Sequence, residues 1–163
     1  MGLDVTAYEI VELVKADPTE EEREAMGEED DIHALYPVAP FEKHSDGLPD
    51  GLYRISGKAL SAFHRSYSGY NRWREGLAAL IGTTPEDLWK ADPPSGPFLE
   101  LIHNSDCEGL IGPRTSAKLA KDFAEWMPRA AAHLPADPLW FEGYKEWAEM
   151  FALAAGRGAV KLH

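Results

Sequence analysis

LDVTAYEIVELV (residues 3–14) and GAVKLH (residues 158–163) are the two stretches that decide the fold. In the first, Leu3, Val5 and Ala7 alternate with the polar Asp4 and Thr6, the period-two pattern of a half-buried strand. Residues 7–14 also fit a helix, but Asp17-Pro18 ends the element either way. GAVKLH reads as a closing strand after Gly156 and Gly158 have stopped the helix before it. Strands at both ends with helices between them predict a single α+β domain. One small sheet pairs the N- and C-terminal strands, and three to five helices pack on one of its faces.

Working inward, LYRIS (residues 52–56) alternates and reads as a strand ending at Gly57, and IHALYPV (32–38) as a short one. Residues 37–51 hold Pro37, Pro40, Gly47, Pro49 and Gly51 and read as a loop. Tyr70, Trp73, Leu77, Leu80 and Ile81 form a helical stripe, with Ser68 as the candidate N-cap and Gly82 as the stop. Thr84-Pro85-Glu86-Asp87 starts a second, short helix. FLELI (98–102) has no clear type, and HNSDCEGLIG (103–112) reads as an ordered loop. A helix capped by Thr115 or Ser116 follows, which Pro128 should kink or end. The last helix lies within residues 137–158, with Trp140, Tyr144, Trp147, Phe151 and Ala154 as its inner face.

At 163 residues the chain suits one domain. Its net charge of -12 is unevenly placed. Residues 1–50 carry 15 acids against Lys15, Arg23 and Lys43, whereas residues 51–163 carry as many bases as acids. Much of the acidity sits in TEEEREAMGEEDD (19–31), within an insertion-like segment at about residues 18–50. This run is either a solvated helix or loop, or an acidic surface that mimics nucleic acid or docks on a basic partner such as a host protein. Groove binding to DNA or RNA is disfavoured, because it needs a basic footprint. No run approaches a membrane span, and the start lacks a signal-peptide pattern, so a cytoplasmic location is expected. The single Cys107 allows neither an internal disulfide nor paired-cysteine zinc. The six histidines show no metal-ligand spacing, and no Walker, GxGxxG or GxSxG motif is present, so no cofactor is expected.

Two segments could carry chemistry. HRSYSGYNRWRE (64–75) concentrates Arg65, Arg72 and Arg74 at a helix start, where unpaired N–H groups favour anions. There Arg65, Ser66, Ser68 and Gly69 would hold a phosphate, Tyr67 would stack on a planar group, and Asn71 and Arg74 would add polar contacts. NSDCEGLIGPR (104–114) offers Asn104, Asp106 and Glu108 to ribose or base donors. Both segments equally fit an ordinary cap and a tight loop. The acids beside Cys107 oppose thiolate formation and argue against a nucleophile there.

MGLDVTAYE, SYSGYNRWRE, PFLELIHNSDCEGLIGPRTSAKLAKDF and GAVKLH together resemble a small-protein family of phage, prophage and bacterial genomes. The resemblance spans most of the chain outside residues 18–50 and 83–95 and brings no established activity or catalytic residue with it. What it implies is context, since small phage proteins of this kind often counter host defence. Three functions follow as expectations. The leading one is a non-catalytic protein that sequesters a small anionic, nucleotide-like ligand. The others are a protein-interaction inhibitor acting through the acidic N-terminal surface, and a small nucleotide hydrolase using Asp106, Glu108 or Cys107. A homo-oligomer is compatible with each.

Overall fold

The computed structural model describes residues 2–26, 31–133 and 137–163. Its centre is a five-stranded antiparallel sheet of order β2-β3-β1-β5-β4. Strand β1 (Gly2–Ala16) runs against β3 (Gly51–Ser66) along its whole length, from Gly2 opposite Ser66 to Ala16 opposite Gly51. On its other side, residues Val5 to Glu9 of β1 pair with β5 (Gly158–Leu162), which joins the two ends of the chain. The edges are β2 (Ile32–Leu35) on β3 and β4 (Gly109–Ile111) on β5.

Six helices accompany the sheet among the described residues: α1 (Glu20–Met26), α2 (Tyr67–Leu80), α3 (Pro85–Lys90), α4 (Leu99–Ile102), α5 (Pro113–Ala132) and α6 (Trp140–Ala154). None of them is long and apolar enough to cross a membrane. Leu3, Val5 and Ala7 of β1, Phe63 of β3 and Val160 and Leu162 of β5 meet the stripes of α2, α5 and α6 in one core. The period-two alternation sends Tyr8, Tyr53, Ile55, Leu110 and Ala159 to the opposite face. There they pack with Leu35 and Leu48, so the sheet is covered on both sides.

The α2–α6 contact is close because each helix offers a glycine. A Cβ on Gly143 would lie 2.9 Å from Trp73 Nε1, and one on Gly76 would run into the Trp140 ring. The two indoles brace each other reciprocally. Trp73 Nε1 donates to the Trp140 carbonyl (3.1 Å) and Trp140 Nε1 to that of Trp73 (2.9 Å).

Several local expectations are corrected. Gly57 does not end β3; the strand continues to Ser66. Three residues, 56–58, stand opposite Glu9 alone, and Gly57 takes the positive φ of 78° that this bulge requires. FLELI contains the single turn α4, and the end of the predicted 103–112 loop is strand β4. The α2 cap is Ser66, which accepts from Gly69 N at 3.1 Å, while Ser68 already lies inside the helix. Helix α5 starts at Pro113 behind Gly112, not at a Thr115 or Ser116 cap, and Ser116 is fully buried. Pro128 does not end α5, which runs on to Ala132. Ala124 and Pro128 are both exposed, so the carbonyl that Pro128 leaves unpaired faces water. The acidic run forms α1 as expected, and its residues 27–30 lie outside the described ones.

Candidate functional site: a histidine-lined cleft

The segment 37–51 is the least regular part of the sequence, yet it is anchored firmly. Its one turn of 3-10 helix, Glu42–Ser45, abuts the start of α5. Gly112 N donates to the His44 carbonyl at 2.8 Å, and a Cβ at position 112 would overlap the Ser45 carbonyl. Asp46 Oδ2 accepts from Thr115 N (2.7 Å) and Oδ1 from Thr115 Oγ1 (2.9 Å). A side chain from a distant loop therefore satisfies one of the open N–H groups of α5. This docking buries His44 to 5% exposure.

The 103–106 loop is fixed from α2. The Arg74 guanidinium, only 6% exposed, donates to the carbonyls of Asn104 (2.7 Å) and Ile102 (3.1 Å) and to Asn71 Oδ1. Its charge lies over the Tyr70 ring, 4.6 Å from the centroid. Asn71 Nδ2 in turn donates to Asp106 at 3.0 Å. Arg74 is thus a buried clamp on the loop and not the free cation expected from the sequence.

Between these anchored parts lies a cavity of about 790 Å³. Pro40, Phe41, Lys43 and His44 line one side, Asn71, Arg74 and Glu75 of α2 another, Pro85 and Trp89 of α3 with Pro94 a third, and residues 103–106 the last. Its aromatic members stand beside its histidines. The Phe41 ring stacks with His44, centroids 6.1 Å apart, and Trp89 meets His103 edge-on at 6.1 Å. Trp89 is 60% exposed, which is unusual for so large an apolar side chain.

Of eight buried side-chain polar atoms without a hydrogen-bond partner among the described residues, three belong to this lining: His44 Nδ1, His103 Nε2 and Asn104 Nδ2. Asn104 is only 3% exposed, and its Oδ1 is occupied by Ser105 N at 2.9 Å. Native proteins rarely leave buried polar atoms unpaired, so three around one cavity mark it. Burial first, and the neighbouring Lys43 second, hold both imidazoles below their ordinary pKa. Lys43 forms no ion pair with any described residue and is exposed at the rim.

The ten site residues expected from the sequence divide three ways. Asn71, Arg74, Asn104 and Asp106 meet in this cleft. Arg65, Ser66 and Gly69 instead line a second cavity of about 710 Å³ with Arg72, His133 and Trp140, and among the described residues Glu75 alone lines both. Tyr67 packs half-buried against the core rather than standing free to stack. Ser68 and Glu108 are exposed and line neither cavity. The α2 start and residues 104–106 therefore line different cavities, on different faces of α2. Phe41, Lys43, His44, Trp89 and His103 were not foreseen. Only the exposed position of Trp89 on a short polar helix could have flagged one of them.

Cys107 is exposed and does not line the cleft. Among the described residues no group of three or more His, Cys, Asp or Glu is placed to hold a metal ion. No protein-family model, curated protein or solved structure matches the chain.

Proposed function

We propose that this chain is a non-catalytic binding protein for a small anionic, nucleotide-like molecule, held in the cleft of His44, His103 and Asn104. The observation that carries this reading is the set of three unpaired polar atoms around one aromatic-walled cavity. Its volume falls in the range of small-molecule sites, about 300–1,000 Å³. Trp89 at the rim offers a ring face to a base, and Lys43 offers a charge to a phosphate. The proposed site has thus moved from the α2 cap to the face of that helix that carries Asn71 and Arg74. Of the hydrolase candidates, Cys107 and Glu108 lie off the cavity, and Asp106, which lines it, already accepts from Asn71, which favours holding a ligand over converting it. In a phage or prophage setting, such a protein would withdraw a nucleotide signal from a host defence.

Calorimetry against nucleoside phosphates and cyclic dinucleotides tests the proposal. At least one should bind, and Trp89→Ala should weaken it by about fivefold or more, since base–aromatic stacking contributes ~1–3 kcal/mol. The exposed position of Trp89 keeps that variant folded. Silence across the panel at 100-fold excess, or binding indifferent to both Trp89→Ala and Lys43→Ala, would sink it.

A further inference from the structure

Two imidazoles line the same cavity, each with one ring nitrogen lacking a partner among the described residues, and Asn104 of the same lining has an unpaired Nδ2. An amide nitrogen can only donate, so whatever meets Asn104 Nδ2 presents an acceptor. We infer that the ligand's anionic group seats between His44, His103 and Asn104, and that one proton is taken up with it. The inference rests on the binding reading above and deepens it.

Consider the charges that face each imidazole. His44 meets Lys43 of its own turn, His103 across the cleft, Glu100 from α4 and Asp46 beside it. His103 meets Lys43, Glu100 and Arg74. Neither acid is free to support an imidazolium. Glu100 is bound by Lys118 at 2.7 Å, and Asp46 is spent on Thr115 and Arg114. Lys43 opposes a positive charge on either ring, and each ring opposes one on the other. The unliganded rings are therefore neutral near pH 7. Arg74 is committed to two carbonyls and Asn71, and Asp106 to Asn71.

An oxyanion in the cleft reverses this balance. An opposite charge at hydrogen-bond distance favours the protonated ring, and the protonated ring donates from both nitrogens. Of the other charges lining the cleft, Arg74 and Asp106 are both held through Asn71 and offset each other, and Glu75 is exposed on α2. A first imidazolium gains the anion against the repulsion of Lys43, whereas a second would meet both Lys43 and the first ring, so one proton is expected rather than two.

The probes are adenosine 5′-monophosphate and inorganic phosphate, titrated into the full chain. At pH 7 the phosphate monoester is largely the dianion, its second pKa being about 6. Calorimetry in two phosphate-free buffers of unlike ionisation enthalpy should then show close to one proton taken up per bound adenosine 5′-monophosphate, and less for inorganic phosphate, which arrives partly protonated. Affinity for adenosine 5′-monophosphate should rise several-fold, up to about tenfold, as the pH is lowered from 8 to 7, above the range in which its own phosphate protonates. His44→Gln and His103→Gln should each weaken binding and cut the proton uptake. Should either variant misfold, imidazole titration of the unaltered protein by NMR, with and without the probe, decides the matter. At least one of the two rings must titrate higher when the probe is bound. Binding with no proton uptake and a flat pH dependence overturns this inference and leaves the binding reading standing. Failure of both probes to bind also overturns it, and the nucleotide panel then judges the binding reading separately.

Discussion

Replacing Arg74 by methionine tests how the cleft is built. The side chain is nearly as long and stays compatible with a helix, so what changes is the guanidinium. That group makes two bonds to carbonyls, at 2.7 and 3.1 Å, one to Asn71 and a cation–π contact with Tyr70. Bonds from a charged donor contribute about 1.5–3 kcal/mol each, and a buried carbonyl left unpaired costs about 1–3 kcal/mol. The methionine escapes the desolvation of a buried charge, and the cleft lets water reach one side of the loop. Together these place the loss near the low end, about 3 kcal/mol. For a chain of this size that lowers the Tm by about 6–12 °C. Scanning calorimetry checks the value, with Arg72→Met as the control. Arg72 is exposed on the same helix and should move the Tm by about 1 °C or less. The methionine variant should also lose affinity in the cleft, because Asn104 and Asp106 are no longer held. Equal Tm values for the two variants would refute the view of Arg74 as the clamp of the 103–106 loop.

Two further outcomes follow from packing and titration. Gly76→Ala gains about 1 kcal/mol of helix propensity but drives a methyl into the Trp140 ring, and overpacking costs about 1–3 kcal/mol. The variant should unfold at lower temperature, and an unchanged or raised Tm would show that the α2–α6 contact is loose. Burial holds His44, His103 and His163 below the ordinary imidazole pKa, so below about pH 6.5 the unfolded chain binds protons that the folded one refuses. Stability should therefore fall as the pH is lowered from 7.5 to 5.5. Glu146, whose carboxyl burial pushes upward, acts in the opposite sense, so Glu146→Gln should steepen the fall. A Tm that stays level or rises on acidification in calorimetric scans would contradict this.

Element types were legible wherever a local pattern records burial. The alternation of Leu3, Val5 and Ala7 and the stripes Tyr70–Trp73–Leu77 and Trp140–Tyr144–Trp147 each mark a face turned to the core, and all of these residues are buried. Pairing of the two terminal strands followed from having strands at both ends and helices between. Boundaries were less legible, because one residue type serves two purposes. Glycine at position 57 opens a bulge in a continuing strand, whereas at position 82 it follows the end of a helix, and both take positive φ. Pro128 breaks a bond only on a water-facing side, which no single residue reveals.

The sequence alone determined the α+β class, the paired terminal strands, the inner faces of α2 and α6, and the confinement of the charge imbalance to residues 1–50. These are properties of short windows, set by hydrophobic period and local charge. Tertiary structure alone decided that Arg74 is buried, that Arg65–Gly69 and Asn104–Asp106 belong to different cavities, and that an irregular loop supplies His44 to the cleft. Those facts depend on contacts between residues far apart in sequence, such as Asp46 with Thr115 and Arg74 with Asn104. A histidine in a proline- and glycine-rich loop shows no periodicity. It becomes a buried, neutral group only when Gly112, lacking a Cβ, lets the 42–45 turn close against α5.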